Sequence, residues 1–296
     1  MFTGLSAFPL TPLDDDRFDE RAFTGLVTRL VEAGVDSIGA LGSTGSFAYL
    51  DREERRRVAR AAVRSVGDVP VIVGIGSLRT SHVRALAEDA QRAGAAAVLL
   101  SPTSYQKLTD EEVFGLYEDV TAELSVPLVV YDNPGTTHVT FSNELYARVA
   151  ALPNVAAIKI PPVPPNPAAA REHVAAIRGA VPDHVSIGVS GDGAAATGLA
   201  AGCRAWYSVV GGTVPGAVLP LARAALGGDT ATAGAESERL RPLWDLFAAH
   251  GSLRVTAAIA EHLGLVAPHC LPRPVLGLGA ADRERVARLV GELRLA

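Results

Sequence analysis

The sequence predicts an α/β fold, a (β/α)8 TIM barrel over residues 1–226 with a C-terminal helical extension over 227–296. Three observations carry this expectation. Short apolar runs alternate with amphipathic, charged segments, and the alternation repeats eight times. The runs lack clean period-two patterning, as strands buried on both faces of a parallel sheet do. Beyond residue 226 the alternation stops and only helical patterns remain.

The apolar runs fall at 5–9, 37–41, 69–74, 96–100, 127–131, 155–160, 185–189 and 205–210. Each is short and rich in β-branched or small residues. Helical patterns separate them at 51–66, 80–92, 110–124, 142–151, 166–179, 193–201 and 215–226. The first of these opens on Asp51 with Glu54 three residues later, the spacing of a capping box. The second is expected to be capped by Thr80 or Ser81 and to end at Gly94; the third follows Thr109. Asp14, Asp15 and Asp16 read as an acidic helix start, where carboxylates favour the macrodipole. Alternating βα units require right-handed crossovers and a parallel sheet, and eight of them suit a closed barrel of the usual size, roughly 250 residues. An open doubly wound sheet is the competing arrangement. It usually carries G-x-G-x-x-G after its first strand, whereas Thr11-Pro12-Leu13-Asp14 follows here, and Gly74-Ile75-Gly76 is only a partial match. The extension reads as helices at 230–250, 253–263 and 281–295, joined by a proline-rich connector at 268–274. It should pack on the barrel flank or in an interface between copies.

Composition narrows the function classes. A net charge of −5 argues against general nucleic-acid binding, which needs clustered basic charge. No apolar run approaches the roughly 18 residues of a membrane span. The opening stretch has no basic region and is broken by Pro9 and Pro12, and the two cysteines, Cys203 and Cys270, are far apart, so a cytoplasmic, reduced protein is expected. The seven histidines form no metal-ligand spacing, and neither a metal nor a cofactor is expected.

Lysine occurs only at Lys107 and Lys159; every other cation is arginine. A barrel of this kind carries its chemistry at the C-terminal ends of its strands, and Lys159 stands near the end of the sixth run with apolar neighbours on both sides. Desolvation there favours the neutral amine, which can attack a carbonyl and form a Schiff base. The plainer reading is a lysine that snorkels to solvent. Tyr131 ends the adjacent run. Neighbouring strands lie about 4.8 Å apart, so the phenol could meet the amine and relay a proton; otherwise it is an aromatic lid. The loop of Gly42, Ser43, Thr44, Gly45 and Ser46 could form an anion nest for a carboxylate, although small-residue turns also arise for geometry alone. Thr136, His138, Pro162 and Gly211 would line the pocket beyond the lysine, with Ser208 at the end of the eighth run.

These segments together resemble the dihydrodipicolinate synthase / N-acetylneuraminate lyase family of class I aldolases, nearly end to end. Phe2-Thr3-Gly4 with Thr11-Pro12 is similar to the family's first strand; Gly42-Ser43-Thr44-Gly45 resembles its G-[ST]-T-G-E motif. Tyr131-Asp132-Asn133-Pro134 resembles Y-N-x-P, Ile158-Lys159 resembles the Schiff-base motif, and Ser190-Gly191-Asp192 resembles the S-G-D/N turn. The resemblance implies Lys159 as the Schiff-base lysine, Tyr131 as proton relay, Ser43 and Thr44 as carboxylate holders, and Tyr105 as a tyrosine offered across a subunit interface. It also implies a homo-oligomer, a dimer or tetramer. Ser46 replaces the usual Glu, Asp132 the usual Asn, and Thr136 the arginine of the lysine-pathway synthases; Ile160-Pro161-Pro162 departs after the lysine. Losing a bidentate cation is not neutral.

The resulting expectation is a lyase forming a lysine Schiff base with pyruvate or a related 2-oxo acid, for C–C cleavage or condensation or for dehydration. Alternatives are 4-hydroxy-tetrahydrodipicolinate synthase and a non-catalytic small-acid binder on the same fold. A flavin- or nicotinamide-dependent barrel is disfavoured by the lack of a phosphate loop beyond Gly211-Gly212.

Overall fold

The computed structural model describes residues 2–295. Strand β1 (Gly4–Ala7) leads into a hairpin of β2 (Leu13–Asp14) and β3 (Arg17–Phe18), then helix α1 (Glu20–Ala33). The units β4 (Ser37–Ala40) and α2 (Arg52–Arg64), β5 (Val71–Gly74) and α3 (Thr80–Ala93), and β6 (Ala97–Leu100) and α4 (Asp110–Thr121) follow. Strand β7 (Leu128–Tyr131) carries a one-turn helix α5 (Pro134–Thr137) before α6 (Asn143–Ala150). Then come β8 (Val155–Ile160) with α7 (Pro167–Ala180), β9 (Ser186–Ser190) with α8 (Ala195–Ala200), and β10 (Ala205–Ser208) with α9 (Pro215–Leu226). Eight parallel strands close on themselves in the order β1-β10-β9-β8-β7-β6-β5-β4, with β4 returning to β1. The fold is a (β/α)8 barrel.

Strand periodicity sorts the side chains. Leu128 and Val130 face outward into the large core between sheet and helices. Val129 and Tyr131 face inward, joining Phe8, Ile72, Ala97, Leu99, Ala157, Ala205 and Tyr207 in a separate core inside the barrel. On β8 the same rule sends Ile158 and Ile160 outward and leaves Lys159, two residues after Ala157, on the inner side.

The helices confirm most local signals. Asp51 and Glu54 form the expected reciprocal capping box, and Thr109 forms another with Glu112. Three details differ from expectation. Residues Asp15 and Asp16 turn the β2–β3 hairpin with φ of 45° and 59°; two positive-φ residues are what a type I′ hairpin turn requires, and Asp tolerates them. Helix α1, absent from the predicted set, begins later, with Asp19 accepting from the Ala22 N–H. Helix α3 has Arg79 at its N-cap with no side-chain bond, so Thr80 and Ser81 lie within the helix and do not cap it. The expected long helix 230–250 divides at Leu240 into α10 (Thr230–Arg239) and α11 (Arg241–His250). Pro242, in the first turn of α11, has no N–H to continue the earlier ladder.

Helices α12 (Ser252–His262) and α13 (Ala280–Glu292) complete the chain. Helix α10 packs on α8 and α9. Ala257, Ala260, Val266, Cys270 and Leu271 share a core with Leu10 and Leu26, and the Leu13 N–H donates to the Cys270 carbonyl at 2.9 Å. The extension thus buttresses the loop that follows β1. Among the described residues no helix is long and apolar enough to cross a membrane.

Candidate active site

Two glycines open the barrel interior to aromatic rings. A Cβ on Gly39 would lie 2.3 Å from the Phe8 ring, and one on Gly188 would lie 2.5 Å from the Tyr207 ring. Those distances are far inside van der Waals contact, so any side chain there would expel the ring. Gly188 is also the direct neighbour of Lys159 in the β8–β9 register. The rings therefore reach across to the lysine. The Lys159 Nζ sits 4.1 Å from the Phe8 ring centroid, 3.9 Å from that of Tyr131 and 5.8 Å from that of Tyr207.

Lys159 is 4% exposed. Burial holds its amine well below the ordinary lysine value, at about 7, and the field of Asp192 opposes that shift only in part. Ring faces attract an ammonium but offer its N–H groups no oxygen acceptor; they do not repay the hydration it loses. A substantial neutral fraction at neutral pH follows, and a neutral amine is a nucleophile.

Tyr131 pairs directly with Lys159 in the β7–β8 register. Burial raises its phenol, and its hydroxyl lies 3.3 Å from the Ser43 Oγ. The Asn133 Nδ2 donates to the same Ser43 oxygen at 3.4 Å. Ser43 belongs to a tight turn framed by two positive-φ residues, Leu41 at 59° and Ser46 at 52°. The Ser46 N–H closes the turn on the Ser43 carbonyl at 3.0 Å. Among the described residues the N–H groups of Ser43, Thr44 and Gly45 donate to no carbonyl. Unpaired amides in such a turn form an anion nest, and Ser43 ties it to the phenol.

The structure thus brings Lys159, Tyr131 and Ser43 together, with Thr44 buried in the same turn. Three other expected residues stand apart. The Ser208 hydroxyl is fully buried; it donates to Asp192 Oδ1 at 2.9 Å and accepts the Gly211 N–H at 2.8 Å, so it holds the β10 turn and has no hydrogen left for a ligand. Tyr105 is 90% exposed, in the loop after β6. Thr136 is exposed on α5, its hydroxyl 3.4 Å from the Asn133 carbonyl.

Sequence reasoning missed Phe8, Tyr207 and Asn133. Strand parity was a usable signal for Tyr207, which shares the inward face with Ala205, but no local pattern points Phe8 at a lysine more than a hundred residues away.

The comparisons with known proteins agree with one another. The profile of the Dihydrodipicolinate synthetase family matches residues 1–293. A 4-hydroxy-tetrahydrodipicolinate synthase of Methylococcus capsulatus is 32% identical over 97% of this chain and 97% of its own. A crystal structure of a dihydrodipicolinate synthase from Agrobacterium tumefaciens superposes with a TM-score of 0.95 at 44% identity, covering 99% of this chain and 98% of that one. A chloride-inhibited dihydrodipicolinate synthase from Acinetobacter baumannii, solved with pyruvate, superposes with a TM-score of 0.90 at 25% identity, covering each chain fully.

Proposed function

The chain belongs to the dihydrodipicolinate synthetase family, and from that premise we propose that Lys159 is its Schiff-base lysine and that pyruvate or a related 2-oxo acid is its substrate. The chain is a lyase of the class I aldolase type, which sets the non-catalytic reading aside. The observation that carries the residue assignment is the buried Lys159 amine, 3.9 Å from the centroid of the Tyr131 ring, where burial lowers its proton affinity to about 7.

In this reading the amine lone pair attacks the keto carbon and forms a carbinolamine. Tyr131 passes a proton to the departing oxygen, water leaves, and an iminium remains. Loss of a proton from the adjacent carbon gives an enamine, which adds to an aldehyde; the reverse sequence cleaves the C–C bond. The Ser43–Gly45 nest, with the hydroxyls of Ser43 and Thr44, holds the acid group so that the keto carbon meets the amine. Thr136, exposed on α5 apart from the amine, is assigned to the second substrate and not to the acid group. Borohydride reduction in the presence of pyruvate, followed by peptide mass analysis, should place a stable adduct on Lys159. An unmodified Lys159 across neutral and alkaline pH would overturn the assignment.

A second reading, 4-hydroxy-tetrahydrodipicolinate synthase itself, is favoured by the names of the relatives that align over nearly the whole chain. Supplying aspartate semialdehyde and 2-oxo sugar acids in parallel separates the two: consumption of the semialdehyde alone would select the synthase. The work is assigned to residues 1–226, with 227–296 as buttress. Tyr49, Leu78 and Tyr105, exposed on the loops after β4, β5 and β6, support a homo-oligomer that buries this face, with Tyr105 meeting a second copy; light scattering of wild type and Y105A tests it. The two buried, unpaired cysteines suit a reducing cytoplasm.

A further inference from the structure

Asp132, the residue after Tyr131, is a buried carboxylate with an unusual set of partners. Its Oδ2 accepts the Tyr146 hydroxyl at 2.5 Å. Its Oδ1 is buried and has no hydrogen-bond partner among the described residues. Its backbone N–H donates to the Lys159 carbonyl at 3.0 Å, so its position and that of the lysine backbone are linked directly. Behind it the Tyr146 ring stacks on Phe141 at 5.1 Å, and Phe141 meets Tyr117 edge-on at 6.1 Å. The Tyr117 hydroxyl is engaged by the Leu100 carbonyl at 2.8 Å and is not available to Asp132. The ionisable groups facing Asp132 are therefore Tyr131 on β7, Tyr117 on α4 and Tyr146 on α6.

No cation pairs with this carboxylate among the described residues. A buried carboxylate with one orphan oxygen is destabilising compared with an amide, which could accept the same Tyr146 bond without a buried charge. Packing alone gives no return for the charge. Its field does have a consequence at the neighbouring side chain: it makes removal of the Tyr131 proton harder.

We propose that Asp132 is a positioning residue for the Tyr131 phenol: while ionised it grips the Tyr146 hydroxyl, anchors the end of β7 against α6, and keeps the phenol in its protonated form. Once neutral, it holds the same hydroxyl only through an uncharged and weaker hydrogen bond, and its field on the Tyr131 phenol is gone. This inference rests on the assignment of Tyr131 as proton relay. Burial raises the Asp132 carboxyl to about 6, against the opposing pull of the Tyr146 hydrogen bond.

The test uses pyruvate alone. Deuterium incorporation into its methyl group, followed by proton NMR, reports the enamine half-reaction without an acceptor. Borohydride trapping on the same samples reports the Schiff base. In wild type, exchange should fall on the acid side through two ionisations, Lys159 near 7 and Asp132 near 6. D132N should still form the adduct but keep only the first, so that at pH 5, each profile normalised at pH 8, it exceeds wild type about tenfold. Y146F removes the hydroxyl that donates to the carboxylate and should move the lower ionisation up by about one pH unit. Carbon-13 labelling of the aspartate carboxyls supplies a readout independent of activity: a resonance titrating near pH 6 should be missing from D132N and shifted upward in Y146F. Superimposable exchange profiles for wild type and D132N, or an unmoved resonance in Y146F, would overturn the inference. Failure of wild type to trap pyruvate on Lys159 would instead overturn the reading on which it rests.

Discussion

Lys159 and Asp192 are both buried ionisable groups at one rim of the barrel, near the ends of adjacent strands β8 and β9, and their surroundings are opposite. Four donors converge on Asp192: the Trp206 Nε1–H at 3.0 Å, the Ser208 hydroxyl at 2.9 Å and the N–H groups of Val209 and Val210 at 3.2 and 3.0 Å. Burial pushes its carboxyl upward and each donor pulls it back. Lys159 has three aromatic faces and no such set. A charge embedded in matched hydrogen bonds is part of the scaffold, holding the turn after β10 closed. A charge embedded in hydrocarbon and rings is destabilised in its ionised form and so is available for chemistry.

That contrast can be broken in three places. The largest effect is expected at the phenol beside the amine. Y131F should lower pyruvate methyl exchange by about 10²- to 10⁴-fold, the range of one general acid–base group, while a borohydride adduct still forms; unchanged exchange would leave the amine acting without its neighbour. Next is the scaffold carboxylate. D192A strands four buried donors and should lose about 3 kcal/mol or more in urea unfolding. A variant as stable as wild type would erase the distinction between the two groups.

The smallest effect, with the opposite sign, is K159M. It removes the amine and keeps an unbranched apolar chain, so at neutral pH it should gain about 1–3 kcal/mol. The sign follows from proton uptake. Between about 7 and the ordinary lysine value of 10.5 the unfolded chain holds a proton that the folded one has released. Wild-type stability therefore rises with pH across that window, is complete above it and is lost below it. K159M should lack this rise. A K159M protein with the wild-type slope would mean that the amine is solvated in the folded state.

Much of the barrel was legible before any coordinates. The run at 155–160 became β8 with identical ends, and the others were placed to within two residues. The capping box at Asp51 was readable, and Thr109 was placed just before its helix, because a cap is satisfied within four residues. The hairpin at Asp15 and Asp16 was not, since three consecutive carboxylates suit a helix start as well as a tight turn. Ser208 was misleading for a related reason: its hydroxyl is committed by Asp192, sixteen residues earlier in the turn after β9.

The amino-acid order by itself determined the layered barrel, the rim that carries the loops and the singular status of Lys159, because periodicity, capping and residue scarcity are local properties. Only tertiary closure decided that Phe8 and Tyr207 wall the amine, that Asn133 and Ser43 meet at the Tyr131 phenol, and that Asp132 is left with an empty oxygen. Proton affinity inside a barrel is set by which groups converge on a few cubic ångströms, and strands brought together by a closed sheet are far apart along the chain.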